Sequence, residues 1–256
     1  MSNAVNNPIG FFDSGVGGLS LLRHAVAVLP SENYIYFGDN KNAPYGTKSE
    51  DEILRLTLEA VDFLLLQNIK ALVLACNTAT SAAAKHLRER LSIPVIGVEP
   101  ALKPAYERRT DGQIIVLATN ATLRQEKFHI LMGKYGKDAV CVPGSGIVEL
   151  IERGIFNGDE VDALLRSILG EHLKVKTDFI VLGCTHYSFI KDAISRLSGS
   201  GTQIIDGVEG TINHLRNTLA AKNLLNPDGT GSVKLTTSSE NPETQKLMEM
   251  LMNTQL

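Results

Sequence analysis

Two cysteines stand out because each closes an apolar run and is followed at once by small polar residues. The first stretch is Leu72-Val-Leu-Ala-Cys76-Asn77-Thr78-Ala-Thr80, and the second is Phe179-Ile-Val-Leu-Gly-Cys184-Thr185-His186-Tyr187. An uninterrupted apolar run suits a strand covered on both faces, as in a parallel sheet, where ligands collect beyond the carboxyl ends of the strands. Helical patterns follow both cysteines, Ser81 to Leu91 and Ser188 to Leu197. Each thiol is therefore expected near a helix N-terminus, whose dipole favours the thiolate.

One reaction needs two such groups. Taking the hydrogen from the α-carbon of an amino acid and returning one on the opposite face requires a base on one side and an acid on the other. A free thiol titrates at about 8.5, so modest help from the surroundings can leave one cysteine as thiolate and the other as thiol. Each positioned acid–base group contributes roughly 10² to 10⁴ in rate. The rest of the barrier falls to donors that stabilise the carbanion-like intermediate and hold a carboxylate. Asn77, Thr78 and Thr185 beside the sulfurs, with Ser14 in an earlier glycine-rich turn, are suitable donors.

The elements that must position these groups alternate between strand and helix. Ile9 to Phe12 reads as a strand that runs into Asp13-Ser14-Gly15-Val16-Gly17-Gly18 and a helix from Leu19 to Leu29. Tyr34 to Phe37 is a second strand, leading into the polar loop Gly38-Asp-Asn-Lys-Asn-Ala-Pro44-Tyr45-Gly46, which is long enough to suggest function. Ser49 with Glu52 resembles a capping box for a helix running to about Gln67. At Gln113 to Ala118 the plan starts again, with a strand opening into Thr119-Asn-Ala-Thr122 and a helix to about Tyr135. Later patterns add helices over Gly146–Glu152, Asp159–Leu173 and Val208–Leu224, and strands at Gln203–Ile205 and Ser232–Thr237. The expected fold class is α/β, with two similar doubly wound parallel-sheet domains.

Composition sets outer limits. Of 256 residues, 43% are hydrophobic and 21% charged; the net charge is −3 and there is no basic run, so neither nucleic acid nor an acidic membrane surface is the expected partner. The N-terminus lacks the features of a signal peptide, and no apolar run approaches the ~20 residues that span a bilayer, which points to the cytoplasm. Three widely spaced cysteines make no disulfide framework and no Cys-x-x-Cys pair. Cys141, without polar neighbours, reads as packing.

The strings FFDSGVGG, GDNKNAPYG, ACNTATSAAA and GCTHY, in this order, resemble the cofactor-independent aspartate/glutamate racemase superfamily over nearly the whole chain. The resemblance implies a pseudo-twofold relation between the domains with the active site between them. It implies a discontinuous first domain (1–97 plus 207–256) around a second (98–206), and a homodimer. The implied activity is interconversion of L- and D-glutamate for peptidoglycan, without metal, pyridoxal phosphate or nicotinamide. Position by position, Cys76 resembles the base for D-glutamate and Cys184 its counterpart for L-glutamate. Asp13 would assist Cys76, and His186 would assist Cys184 with Glu149 nearby. Ser14, Tyr45, Gly46, Asn77, Thr78, Thr119, Thr122 and Thr185, together with Asp13 and His186, match substrate-contacting positions. The histidine at 186, where the aspartate-specific branch typically carries glutamate, favours glutamate as substrate. Ala121 stands where many members have glycine. The segment Cys141-Val-Pro-Gly-Ser-Gly146 also departs from the family form, which leaves both Glu149 and Glu152 open, with spacing from Cys141 favouring Glu149. Two other readings compete: a non-catalytic binder of small dicarboxylates, and a nicotinamide enzyme using Gly15-x-Gly17-x-x-Ser20 with Asp39.

Overall fold

Ala71-Leu-Val-Leu74 forms a strand with all four residues buried, the outcome expected of an apolar run covered by helices on both faces. In the computed structural model, which describes residues 4–137 and 139–253, the same logic repeats along the chain. The first run is β1 (Ile9–Asp13), α1 (Leu19–Val28), β2 (Asn33–Gly38), α2 (Glu50–Leu65), β3 (Ala71–Leu74), α3 (Asn77–Arg90) and β4 (Val95–Gly97). The second is α4 (Leu102–Arg108), β5 (Gln113–Ala118), α5 (Asn120–Arg124), α6 (Glu126–Tyr135), β6 (Ala139–Pro143), α7 (Ile147–Glu152), α8 (Asp159–Leu169), β7 (Thr177–Gly183), α9 (Lys191–Ser198) and β8 (Gln203–Asp206). Then follow α10 (Val208–Ala221), β9 (Ser232–Thr237) and α11 (Pro242–Asn253).

The strands form two wholly parallel sheets, ordered β4-β3-β1-β2-β9 and β6-β5-β7-β8. Taken from its other edge, the second sheet runs β8-β7-β5-β6, the plan of β4-β3-β1-β2 repeated. Two α/β domains of one design result, as the strand–helix alternation implied. After β8 the chain returns to the first sheet and adds β9 at its edge.

Alternate residues of each strand go to different cores. Phe12, Leu72 and Leu74 pack with Ile53, Val61 and Leu64 of α2 and Ala79, Ala83 and Leu87 of α3. Phe11 and Val73 face the other way, toward Leu21 and Leu22 of α1 and Leu215 and Leu219 of α10. That core continues into Leu117, Ile180 and Leu182 of the second sheet, whose opposite face is covered by Leu102, Ala105 and Phe128. Two apolar faces explain why the strands read as unbroken apolar runs. They also place α1 and α2 on opposite faces of the first sheet, so the chain diverges where β1 and β3 end. A crevice at such a switch point is where α/β sheets bind ligands.

Three local expectations are corrected. The helix after Cys76 starts at Asn77 rather than Ser81, so Cys76 is itself the N-cap residue, and its sulfur accepts from the Ala79 N–H. Cys184 precedes a 3₁₀ run, Thr185–Ile190, not an α-helix, and makes no capping bond. The helix drawn to Tyr135 is broken at Gln125, which ends α5 and starts α6 in an extended conformation.

Candidate active site

Asp13 ends β1 and Cys76 lies just past the end of β3, so two neighbouring strands deliver a carboxyl and a thiol to one place. Ser14 Oγ lies 3.4 Å from Cys76 Sγ. Asp13 is fully buried and does not itself bond the sulfur: Oδ1 accepts from the Gly15 N–H at 2.8 Å and Oδ2 from Thr185 Oγ1 at 3.1 Å. Thr185 comes from the second sheet, so this bond ties the two cysteine loops together.

The second sheet supplies a different set of partners. Cys184 Sγ stands 3.8 Å from His186 Nδ1, and His186 Nε2 lies 2.6 Å from Glu152 Oε1. Glu152 also accepts from the Val16 N–H at 2.7 Å and from Asn40 Nδ2 at 2.8 Å. The glycines of the first turn now have a physical reason. A Cβ on Gly15 would collide with the Glu152 carboxylate, and one on Gly17 with the His186 ring and backbone. Their small size lets the acid–base pair of one sheet approach the backbone of the other, and no dinucleotide is needed to account for them.

The charges separate the two halves. Burial pushes the Cys76 thiol up to about 12, and the Asp13 charge adds to that, against the Ser14 and Ala79 hydrogen bonds; charge on Cys184 raises it further. Cys76 is thus held as a thiol, although it caps a helix. Burial also raises Asp13, while His186 and the Gly15 N–H act against it. For His186, burial disfavours the charged ring, but the hydrogen bonds and charges of Cys184 and Glu152 outweigh burial and hold its pKa well above the imidazole norm. Burial likewise disfavours the Glu152 carboxylate, yet His186, the Val16 N–H and Asn40 hold it below the ordinary carboxylate value. A carboxylate only accepts, so His186 Nε2 donates to Glu152 and Nδ1 faces the sulfur, ready to pass a proton.

Around the sulfurs lie hydroxyls and amides from both sheets. Thr78, Thr119 and Thr122 form a triangle of hydroxyls with sides of 3.0 to 3.1 Å. Thr119 also caps α5, accepting from the Thr122 N–H, so Ala121 leaves this turn intact. Tyr45 is buried with its hydroxyl donating to Asp39 Oδ2 at 2.7 Å, and Gly46 packs against Thr119. Asn77 Oδ1 is buried without a hydrogen-bond partner, an acceptor free for a ligand amine.

Glu149 is a correction. It does not lie against His186; it lines a cavity of about 50 Å³ with Pro44, Gly46, Thr119, Gly144 and Val148. Glu152, three residues on, takes the position at the histidine. On α7, Ile147, Val148, Leu150 and Ile151 are buried, and both glutamates flank that face, so spacing from Cys141 could not tell them apart. Asn40 was missed altogether; a loop asparagine carries no periodic signal. Cys141 is exposed on β6, its sulfur 3.9 Å from that of Met132, and not packing in a core. Among the described residues no cluster of three or more His, Cys, Asp or Glu could hold a metal, and no helix is long and apolar enough to cross a membrane.

Residues 19–215 match the Asp/Glu/Hydantoin racemase family, most of the chain and both cysteine loops. The chain belongs to that family. Within it, the glutamate racemase of Clostridium novyi (strain NT) is 52% identical over 240 residues, 92% of this chain and 93% of that protein. The crystal structure of glutamate racemase from Thermus thermophilus in complex with β-chloro-D-alanine superposes with a TM-score of 0.84 at 36% identity, covering 96% of this chain and 93% of that one. The Francisella tularensis glutamate racemase in complex with D-glutamate gives 0.86 at 28% identity, covering 98% and 95%.

Proposed function

We propose that the chain is a glutamate racemase that inverts the α-carbon by proton transfer between two cysteines. The observation that carries this reading is the repeated plan of the two sheets, each ending one strand in a buried cysteine that has its own acid–base partners. With L-glutamate between them, Cys184 as thiolate takes the α-hydrogen while the His186 imidazolium, oriented by Glu152, stabilises the sulfur's charge. Cys76 as thiol delivers its proton to the opposite face. The sulfur of Cys76 then carries the charge, and Ser14 and the Ala79 N–H hold it. In reverse, Cys76 is the base for D-glutamate.

Asn77 Oδ1 is suited to the substrate amine, and Thr78, Thr119, Thr122 and Thr185 to its carboxylates, with Ser14, Tyr45 and Gly46 completing the enclosure. Glu149 lines a cavity shared with Gly46 and Thr119 and makes no hydrogen bond to His186, so the proposed proton path does not include it. The family likeness supports domain limits of 1–97 plus 207–256 and 98–206, a homodimer, a cytoplasmic location and a role in supplying D-glutamate for peptidoglycan. The test is direct. Purified protein with L-glutamate in D₂O should lose optical activity with no added cofactor, and each inverted molecule should carry deuterium at the α-carbon. Retained optical activity would defeat the proposal and favour a dicarboxylate binder.

A further inference from the structure

The Glu152 carboxylate is held at both oxygens, and the two holds come from different places. Oε1 faces His186 and the Val16 N–H. Oε2 is held by Asn40 Nδ2, from the loop after β2. Asn40 is itself locked, because its Oδ1 accepts from Thr237 Oγ1 at 2.7 Å, and Thr237 Oγ1 accepts from the Ser239 N–H at 3.0 Å. The threonine oxygen takes the Ser239 proton and sends its own to Asn40, so the asparagine must present its NH₂ to Glu152. A chain of donors thus runs inward from the end of the edge strand β9 to the Glu152 carboxylate, which on its other oxygen accepts from the imidazole beside Cys184.

We propose that Asn40, oriented by Thr237, is a positioning residue that holds Glu152 as an acceptor-only carboxylate and so aims His186 Nδ1 at Cys184. This rests on the racemase reading. It gives β9, the strand outside the repeated plan of the two sheets, a part in the chemistry, since its last residue settles which way the Asn40 amide points. Neither residue touches the reacting atoms. Their effect is on the proton inventory of Glu152 and His186, and it should appear in turnover and its pH dependence rather than in substrate binding.

The isosteric Asn40→Asp tests this. It keeps shape but sets a second carboxyl against Glu152, and repulsion between two carboxylates at hydrogen-bond distance raises the pH at which the pair takes up one shared proton, leaving both ionised above it. The expected kcat at pH 8 is about tenfold or more below that of the unaltered enzyme, with KM within about twofold. The deficit should shrink as the pH is lowered toward 6, where the shared proton restores a hydrogen bond between the two side chains. Thr237→Val, which keeps the β-branched shape on an edge strand, should lower kcat about threefold, and Thr237→Ser should restore it. Folding is followed by circular dichroism. A deficit equal at all pH values, or none, in folded Asn40→Asp overturns the proposal. Should that variant not fold, Thr237→Val with unaltered kcat overturns it instead. Failure of the unaltered enzyme to racemise would defeat the racemase reading, whereas racemisation by that enzyme with a silent Asn40 would defeat this link alone.

Discussion

Replacing Glu152 by glutamine removes a charge while keeping the shape, and the structure lets its effect be worked out. The carboxylate accepts three hydrogen bonds, the strongest from His186 at 2.6 Å. A hydrogen bond to a charged group contributes about 1.5–3 kcal/mol and a neutral one about 0.5–1.5, so that bond weakens by about 1–2 kcal/mol. At ~1.4 kcal/mol per factor of ten, kcat should fall roughly 5- to 30-fold. The side chain is 18% exposed, so solvent screening removes little of this. Because enantiomers have equal free energies, kcat/KM must fall by the same factor from either isomer, an internal check on the assay. There is also a pH signature. Burial disfavours the His186 charge, and Glu152 is one of the two groups that outweigh it. Without the carboxylate the imidazolium is lost at lower pH, so the alkaline limb of the rate profile moves down. Circular dichroism of glutamate, followed from both isomers across the pH range, measures all of this. Glu149→Gln is the control, expected within about twofold of the unaltered enzyme, since that side chain lies outside the His186 contact. A larger loss in Glu149→Gln than in Glu152→Gln would refute the reasoning.

Each cysteine can be isolated. Cys184→Ala should lose racemisation but still exchange the α-hydrogen of D-glutamate with D₂O, and Cys76→Ala should do the same only for L-glutamate; proton NMR with resolved enantiomers distinguishes them. Gly17→Ala forces a methyl into the His186 ring and backbone, an overpacking cost of about 1–3 kcal/mol that should lower both kcat and the thermal midpoint. Far from the site, the Lys70 ammonium pairs with Glu32 and donates to the Val5 and Leu224 carbonyls, with both side chains almost wholly buried. Lys70→Met leaves Glu32 buried and unpaired, so urea denaturation should show a loss of about 3–5 kcal/mol. The double variant with Glu32→Leu should recover much of it without altering kcat.

The parallel sheets and the two cysteine loops were legible because burial on both faces leaves a mark in the sequence: runs such as Leu72–Ala75 and Phe179–Leu182 have no polar residue to break them. The helix starts were less so. Nothing in Cys-Asn-Thr-Ala-Thr shows that the sulfur serves as cap, since cysteine is an uncommon residue there. The choice between Glu149 and Glu152 depended on the rotation of a six-residue helix against a histidine 34 positions further along the chain, a tertiary relation that local spacing does not encode. Asn40 and Thr237 were beyond reach for a similar reason, being 197 positions apart in the chain. The sequence also misjudged how the thiols are tuned. Proximity to a helix end suggested a lowered pKa for both, but burial and Asp13 overwhelm that end at Cys76.

That misjudgement explains why two copies of one plan are not chemically identical. Were both sulfurs flanked by the same residues in the same surroundings, nothing would decide which of them carries the charge when the pair holds a single proton. A carboxyl beside Cys76 and an imidazole beside Cys184 break the symmetry. Asp13 discourages negative charge on its neighbour, while the His186–Glu152 pair places a positive ring beside the other sulfur. In the proposed mechanism one inversion exchanges the charges between the sulfurs, which is the state the opposite isomer requires. The bond from Thr185 to Asp13 joins the two halves at this point, so the carboxyl that tunes Cys76 is held by the residue next to Cys184. Charges in each half therefore act on groups in the other, and in the proposed mechanism the reaction runs both ways through a site whose fold is repeated but whose charges are not.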